Sequence, residues 1–209
     1  MQAGDERFVL RNARCLAADY MTRAVRAGDT VVDATMGNGK DTLFLCGLVG
    51  ESGYVYAFDV QAEAVARTRE RVAEAGYASR TTLLLAGHET MAEHVAGPVQ
   101  AVMFNLGWLP GAEHIVTTRT DTTLAAVQAA TALIAPGGIV TVCVYPGHEE
   151  GARELEALRQ FAAGLDVRRF NVLHHRFVNA SSQTPQLFLI QKNKSRQKFL
   201  LRFSLFYVF

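Results

Sequence analysis

The feature that most constrains this chain is the run Asp33-Ala-Thr-Met-Gly-Asn-Gly-Lys-Asp41. It follows a short β-branched strand, Thr30 to Ala34, and opens an apolar helix, Asp41 to Val49. Gly37 and Gly39 permit a tight turn and let backbone approach a ligand closely. The helix N-terminus directs free N–H donors at an anionic group.

The rest of the chain repeats that alternation. Arg11 to Arg26 reads as an amphipathic opening helix, ended by Ala27-Gly28-Asp29. Tyr54 to Phe58, Thr81 to Leu85 and Ala101 to Asn105 read as strands, and Ala62 to Ala75 as a helix closed by Gly76. Thr122 to Ile134 is expected to be a helix closed by Pro136-Gly137-Gly138, with a fifth strand from Ile139 to Tyr145. Gly151 to Gly164 is a further helix, and Arg168 to Phe177 and Gln186 to Gln191 a closing pair of strands. The pattern predicts an α/β fold: a doubly wound, mostly parallel seven-stranded sheet with one antiparallel strand.

At 209 residues the chain suits one domain, and its formal net charge of +1 points to no polyanion partner. Residues 1–192 form the expected domain, and 193–209 an atypical tail. Three of the four lysines cluster at Lys192, Lys194 and Lys198, and the end from Phe199 is aromatic. Cys15, Cys46 and Cys143 lie far apart, so neither a zinc site nor a disulfide framework is expected, and no metal site is assigned. No apolar run reaches the roughly 20 residues that span a bilayer. The default reading is a cytoplasmic protein without a membrane partner.

Asp59 ends the second strand about 20 residues past the glycine turn, where a carboxylate accepts bonds from both hydroxyls of a ribose. Asp33 ends the first strand, where a carboxylate suits the ammonium of a bound amino acid. NAD has no such ammonium, and Thr42 stands where a dinucleotide binder has its third glycine. Both facts favour S-adenosylmethionine (SAM). Gln61 offers a polar contact to the ribose or adenine. His88 stands where adenine is held, or caps a helix.

On the substrate side the fourth strand runs into Asn105-Leu-Gly-Trp-Leu-Pro-Gly111, at the carboxyl edge where open α/β folds bind ligands. Asn105 and the Leu106 carbonyl are candidates to accept hydrogens from a target amine. Trp108, Leu109 and Pro110 are candidate substrate contacts; the less favoured alternative is a rigid glycine-proline turn with Trp108 packed in the core. The fifth strand ends in Tyr145-Pro-Gly-His-Glu-Glu-Gly151. Tyr145 is a substrate-side candidate. His148 either takes a proton or caps the next helix, with capping favoured. His174 and His175 read as structural.

Four segments together resemble the YtqB-like (MnmM) family of class I SAM-dependent methyltransferases, also described as rRNA methylases. They are Val31 to Leu45, Val55 to Gln61, Phe104 to Gly111 and Tyr145 to Gly151; Phe177-Val-Asn179 and Pro185 fit the closing segment. The resemblance covers about Ala17 to Lys192. Lys40 and Trp108 depart from its usual residues. It implies a Rossmann-like fold and SAM contacts at Asn38, Asp41, Asp59, Gln61 and His88. It further implies N-methylation of the aminomethyl group of 5-aminomethyl-2-thiouridine at the wobble position of tRNA. It allows a homodimer.

The alternatives are a SAM-dependent enzyme acting on rRNA or a small-molecule amine, a NAD oxidoreductase, and a non-catalytic SAM-binding module. A tRNA enzyme is expected to show an arginine-lined face from Arg119, Arg153, Arg168, Arg169 and Arg176.

Overall fold

The computed structural model describes residues 11–107 and 118–194. Trp108, Leu109 and Pro110, and the tail beyond Lys194, lie outside the described residues. Seven strands form one sheet: β1 (Thr30–Asp33), β2 (Tyr54–Asp59), β3 (Thr81–Leu85), β4 (Val99–Asn105), β5 (Ile134–Val144), β6 (Phe170–His175) and β7 (Gln186–Lys192). Their order is β3-β2-β1-β4-β5-β7-β6. The first five are parallel, and β7 runs antiparallel to both of its neighbours. The helices are α1 (Ala13–Ala24), α2 (Lys40–Val49), α3 (Ala62–Glu74), α4 (Met91–His94), α5 (Thr120–Leu133) and α6 (Glu149–Ala163).

Strand alternation sends successive residues to opposite faces. Val31, Ala101, Met103 and Cys143 join Met21 and Leu45 in a layer with α1 and α2. Val32, Val102, Phe104 and Val142 join Ala126, Ala130 and Leu158 in a second layer with α5 and α6. Full burial of a side chain such as Phe58, Phe104 or Leu45 stabilises the fold by roughly 2 kcal/mol. These two layers hold the sheet's carboxyl edge rigid beneath the site. Helix α1 shows how local sequence makes its part: Ala13, Ala17 and Met21 recur every four residues and are buried. The Asn12 side chain accepts from the Cys15 N–H at 2.9 Å and so starts the helix.

One boundary differs from expectation. Pro136-Gly137-Gly138 does not close α5. The helix ends at Leu133, and β5 begins at once, with Ile134 paired to Val99. The register then shifts, so that Ala101 pairs with Ile139. Proline cannot donate to the ladder, and Gly137 has φ +89°, so the segment is a bulge within the strand. Ile134 is buried, which fixes the strand's start there. A short helical turn at His88–Thr90 continues into α4; a helix start was one reading of His88, but Gly87 takes the cap position. Its single turn is too short to show a helical period.

Candidate active site

A cavity of about 570 Å³ opens where β1, β2, β4 and β5 end. The sheet order reverses between β1 and β4, so this is the switch point at which open α/β sheets bind ligands. Of the expected site residues, Gly37, Asn38, Asp41, Asp59, Gln61, His88, Asn105, Leu106 and Tyr145 all line it.

The turn between β1 and α2 is locked from both sides. Gly37 has φ +48° and donates its N–H to Asp59 Oδ2 at 3.0 Å. Its carbonyl accepts from Thr68 Oγ1 of α3 at 3.1 Å. Asp59 Oδ1 takes the Gln61 N–H at 2.9 Å. Burial raises the Asp59 carboxyl above its ordinary value, against the pull of these N–H donors. Each oxygen keeps a lone pair for a further donor. Asn38 Oδ1 accepts from Arg67 Nη1 at 3.1 Å. Gly39 serves the turn rather than the cavity: with φ +75° it caps α2, and a Cβ there would stand 2.8 Å from Thr68 Oγ1.

Asp33 is not a cavity residue. It is 1 % exposed, and its oxygens accept from Thr35 N at 3.1 Å and Thr42 Oγ1 at 2.6 Å. It points with Val31 toward α2, so it braces the glycine turn from below instead of facing a ligand's ammonium. Loss of water, with the Asp41 charge adding to it, pushes its carboxyl up to about 7. At the start of α2 it is Asp41 that reaches the cavity. Arg14 Nη2 donates to Asp41 Oδ1 at 2.8 Å, and Asn105 Nδ2 to Asp41 Oδ2 at 3.3 Å. The Tyr145 hydroxyl donates to Asn105 Oδ1 at 2.6 Å. Burial pushes that hydroxyl up to about 12, so it stays protonated near neutrality.

His88 is 7 % exposed and packs edge-on against Phe104. Its Nδ1 stands 3.2 Å from the Ala34 carbonyl, which can only accept, so Nδ1 carries the proton. Burial lowers its pKa, so the ring is neutral and Nε2 is an acceptor. Nε2 is buried with no hydrogen-bond partner among the described residues. His148 Nδ1 accepts the Gly151 N–H at 3.1 Å and caps α6, and His148 is not among the cavity's lining residues. His174 stacks on Phe188, and His175 meets the Tyr20 hydroxyl at 3.0 Å.

Gly107 and Thr118, on either side of residues 108–117, are hydrogen-bonded to each other. Thr118 N donates to Gly107 O at 3.1 Å, and Gly107 N to Thr118 Oγ1 at 3.0 Å. Glu150 of α6 holds the start of α5, taking the Thr120 N–H at 2.7 Å. Of the five arginines expected beside the cleft, only Arg119 lines it. Arg119, Arg153 and Arg168 pair with nearby carboxylates, and Arg169 lies over Phe170. Arg14 and Lys40 are the other lining cations. Sequence reasoning missed Arg14, Thr35, Thr68 and Thr118. Each acts through a partner on another element, and no local spacing signals that.

Comparisons with known proteins agree with this architecture. A chloroplastic tRNA (mnm(5)s(2)U34)-methyltransferase of Arabidopsis thaliana is 39% identical over 170 residues, covering 77% of this chain. The chain spans 62% of that relative's length. A Clostridium thermocellum structure described as a "putative rRNA-methylase" is 42% identical with a TM-score of 0.85, covering 88% of this chain and 98% of the other. A Streptococcus mutans structure, described as a "putative methyltransferase" in complex with SAH, is 34% identical with a TM-score of 0.79 and covers 88% and 99%. The family model described as "Putative rRNA methylase" matches residues 55–191, well over half of the chain. The chain belongs to that family.

Proposed function

We propose that this protein is a SAM-dependent N-methyltransferase that methylates the aminomethyl group of 5-aminomethyl-2-thiouridine at the tRNA wobble position. The observation that carries this reading is the Asn105 amide at the end of β4, held between Asp41 and Tyr145 in the cleft that also contains Asp59. The Arabidopsis relative, named for that tRNA nucleotide, supports the substrate.

The cleft residues fit SAM. The cavity volume lies within the roughly 300–1,000 Å³ of small-molecule sites. The remaining lone pairs of Asp59 suit the two ribose hydroxyls, and Gln61 stands beside them. His88 Nε2, buried and an acceptor, suits the exocyclic amine of adenine. Asp41 takes the ammonium, the task that sequence reasoning gave to Asp33. Gly37 and Asn38 let the backbone approach the amino-acid end. When bound, SAM supplies a methyl group made electrophilic by its sulfonium.

The protein's own part is to position a neutral amine and exclude water. A free alkylammonium titrates near 10.4, so the cleft must lower that value by desolvation. Asn105 Oδ1 keeps one lone pair beyond its bond to Tyr145, and the Leu106 carbonyl lies next along the chain. Together they accept the amine's hydrogens and aim its lone pair. Tyr145 remains a donor and does not act as a base. His148 caps α6, which leaves positioning rather than proton transfer to this edge. The 108–110 segment, with Trp108, Leu109 and Pro110, is assigned the flipped-out base, since unpaired RNA bases are read by stacking. The proposed setting is the cytoplasm, and the proposed assembly a homodimer. Among the described residues no helix is long and apolar enough to cross a membrane. Methylation of rRNA is the second reading, favoured by the description of the family.

Calorimetric titration with SAM, S-adenosylhomocysteine and NAD tests the cofactor, with Asp59→Ala as control. Binding of the first two alone is expected, weakened at least tenfold in the variant, because hydrogen bonds to a charged group contribute about 1.5–3 kcal/mol each. Binding of NAD alone refutes the reading. Methyl transfer to undermodified tRNA but not to rRNA then decides the substrate. Asn105→Ala is expected to lower turnover by about a hundredfold while SAM affinity changes little.

A further inference from the structure

We propose that Arg14 is a positioning residue, acting through Asp41 to fix which end of the Asn105 amide faces the substrate amine. This rests on the methyltransferase reading above. Four elements meet at this point. Arg14 reaches from α1, Asp41 stands in the first turn of α2, Asn105 ends β4, and Tyr145 follows β5. All four side chains line the cavity.

The logic is one of donors and acceptors. A carboxamide has an accepting end and a donating end, and only one of them can be of use to an amine's N–H groups. The Tyr145 hydroxyl does not choose between them, because a hydroxyl can donate or accept. Asp41 does choose: an ionised carboxylate only accepts, so at 3.3 Å it must meet the Nδ2 end. The reversed amide would set two acceptor oxygens against each other. Oδ1 therefore faces Tyr145 and the cleft.

Arg14 in turn holds Asp41. A guanidinium only donates, and at 2.8 Å it occupies Oδ1 of the carboxylate, leaving Oδ2 turned toward Asn105. The carboxylate side chain is 14 % exposed and the guanidinium 45 % exposed. A pair open to water to that degree adds little stability. Its consequence is orientation: without Arg14 the carboxylate rotates, and the amide is no longer held one way.

The test compares the native protein with Arg14→Met and Arg14→Lys, using methyl transfer to undermodified tRNA, SAM calorimetry and thermal unfolding. Arg14→Met is expected to lower kcat at saturating SAM by about ten- to a hundredfold, the cost of a small misplacement, with KM for tRNA changed by less than about threefold and SAM affinity, which Asp41 also serves, falling by clearly less than kcat. Arg14→Lys is expected to restore most of the rate, and melting to stay near native. In an Asp41→Asn background, Arg14→Met should add no further loss, because the two act in series. A native kcat in Arg14→Met overturns the proposal. So does a loss of equal size in SAM affinity, or losses that simply add in the double variant. A native protein that binds SAM but leaves the tRNA unmethylated overturns the underlying reading, and this proposal with it.

Discussion

Asp33 and Asp59 each end a central parallel strand, yet one is sealed and the other faces the cavity. Both Cβ atoms take the same face of the sheet; Asp33 is level with Ala57, and Asp59 stands two residues further along, at the carboxyl edge. Asp33 lies with Val31 against α2, where Thr42 and Thr35 satisfy it. Its burial makes a prediction about pH. The folded carboxyl is raised from 3.8 to about 7, so the folded state binds this proton more tightly than the unfolded one. That contribution to stability is fully present below the unfolded value and is lost as pH rises through about 7, on the order of a few kcal/mol. Denaturant unfolding between pH 4.5 and 7.5 should show the decline, and Asp33→Asn should flatten it. A native protein equally stable at both ends would contradict this account of the brace.

Helix α2 gives a contrast between two glycines. Gly39 has φ +75°, and an added Cβ would press on Thr68 at 2.8 Å, so Gly39→Ala should destabilise by about 2 kcal/mol or more. Gly47 sits mid-helix with no atom within 4 Å of an added Cβ, so Gly47→Ala should stabilise by up to about 1 kcal/mol. Urea midpoints of the two variants should move in opposite directions. Elements of this kind were readable from the chain because turn glycines and the helical and strand periods are local signals. Gly37 and Asp59 stand on a turn and a strand end that such signals mark. The bulge at Pro136-Gly137-Gly138 was not readable in this way, since proline and glycine also mark helix ends, and only the pairing of Ile134 with Val99 decides between the two. Arg14 was invisible for the same reason: its partner lies 27 residues away, and no spacing rule joins α1 to α2.

Across the whole molecule the sheet divides the labour. Its β3-to-β5 half supplies the strand ends that build the cavity, while β7 and β6 close the far edge. Strand β7 lies between β5 and β6, with Leu187, Phe188 and Ile190 all but fully buried. It is the last described strand in the chain but only the sixth in the sheet. Synthesis on a ribosome therefore delivers β6 before the one strand it pairs with. Until Gln186 to Lys192 emerges, β5 offers an unsatisfied edge from Ile139 to Val144, the kind that recruits stray strands. A nascent chain halted at Thr184 should stay protease-sensitive, and one extended past Lys194 should become resistant in a single step. Completion of the described sheet is thus an act of late insertion, and the window just before it is when the growing chain has most need of a chaperone.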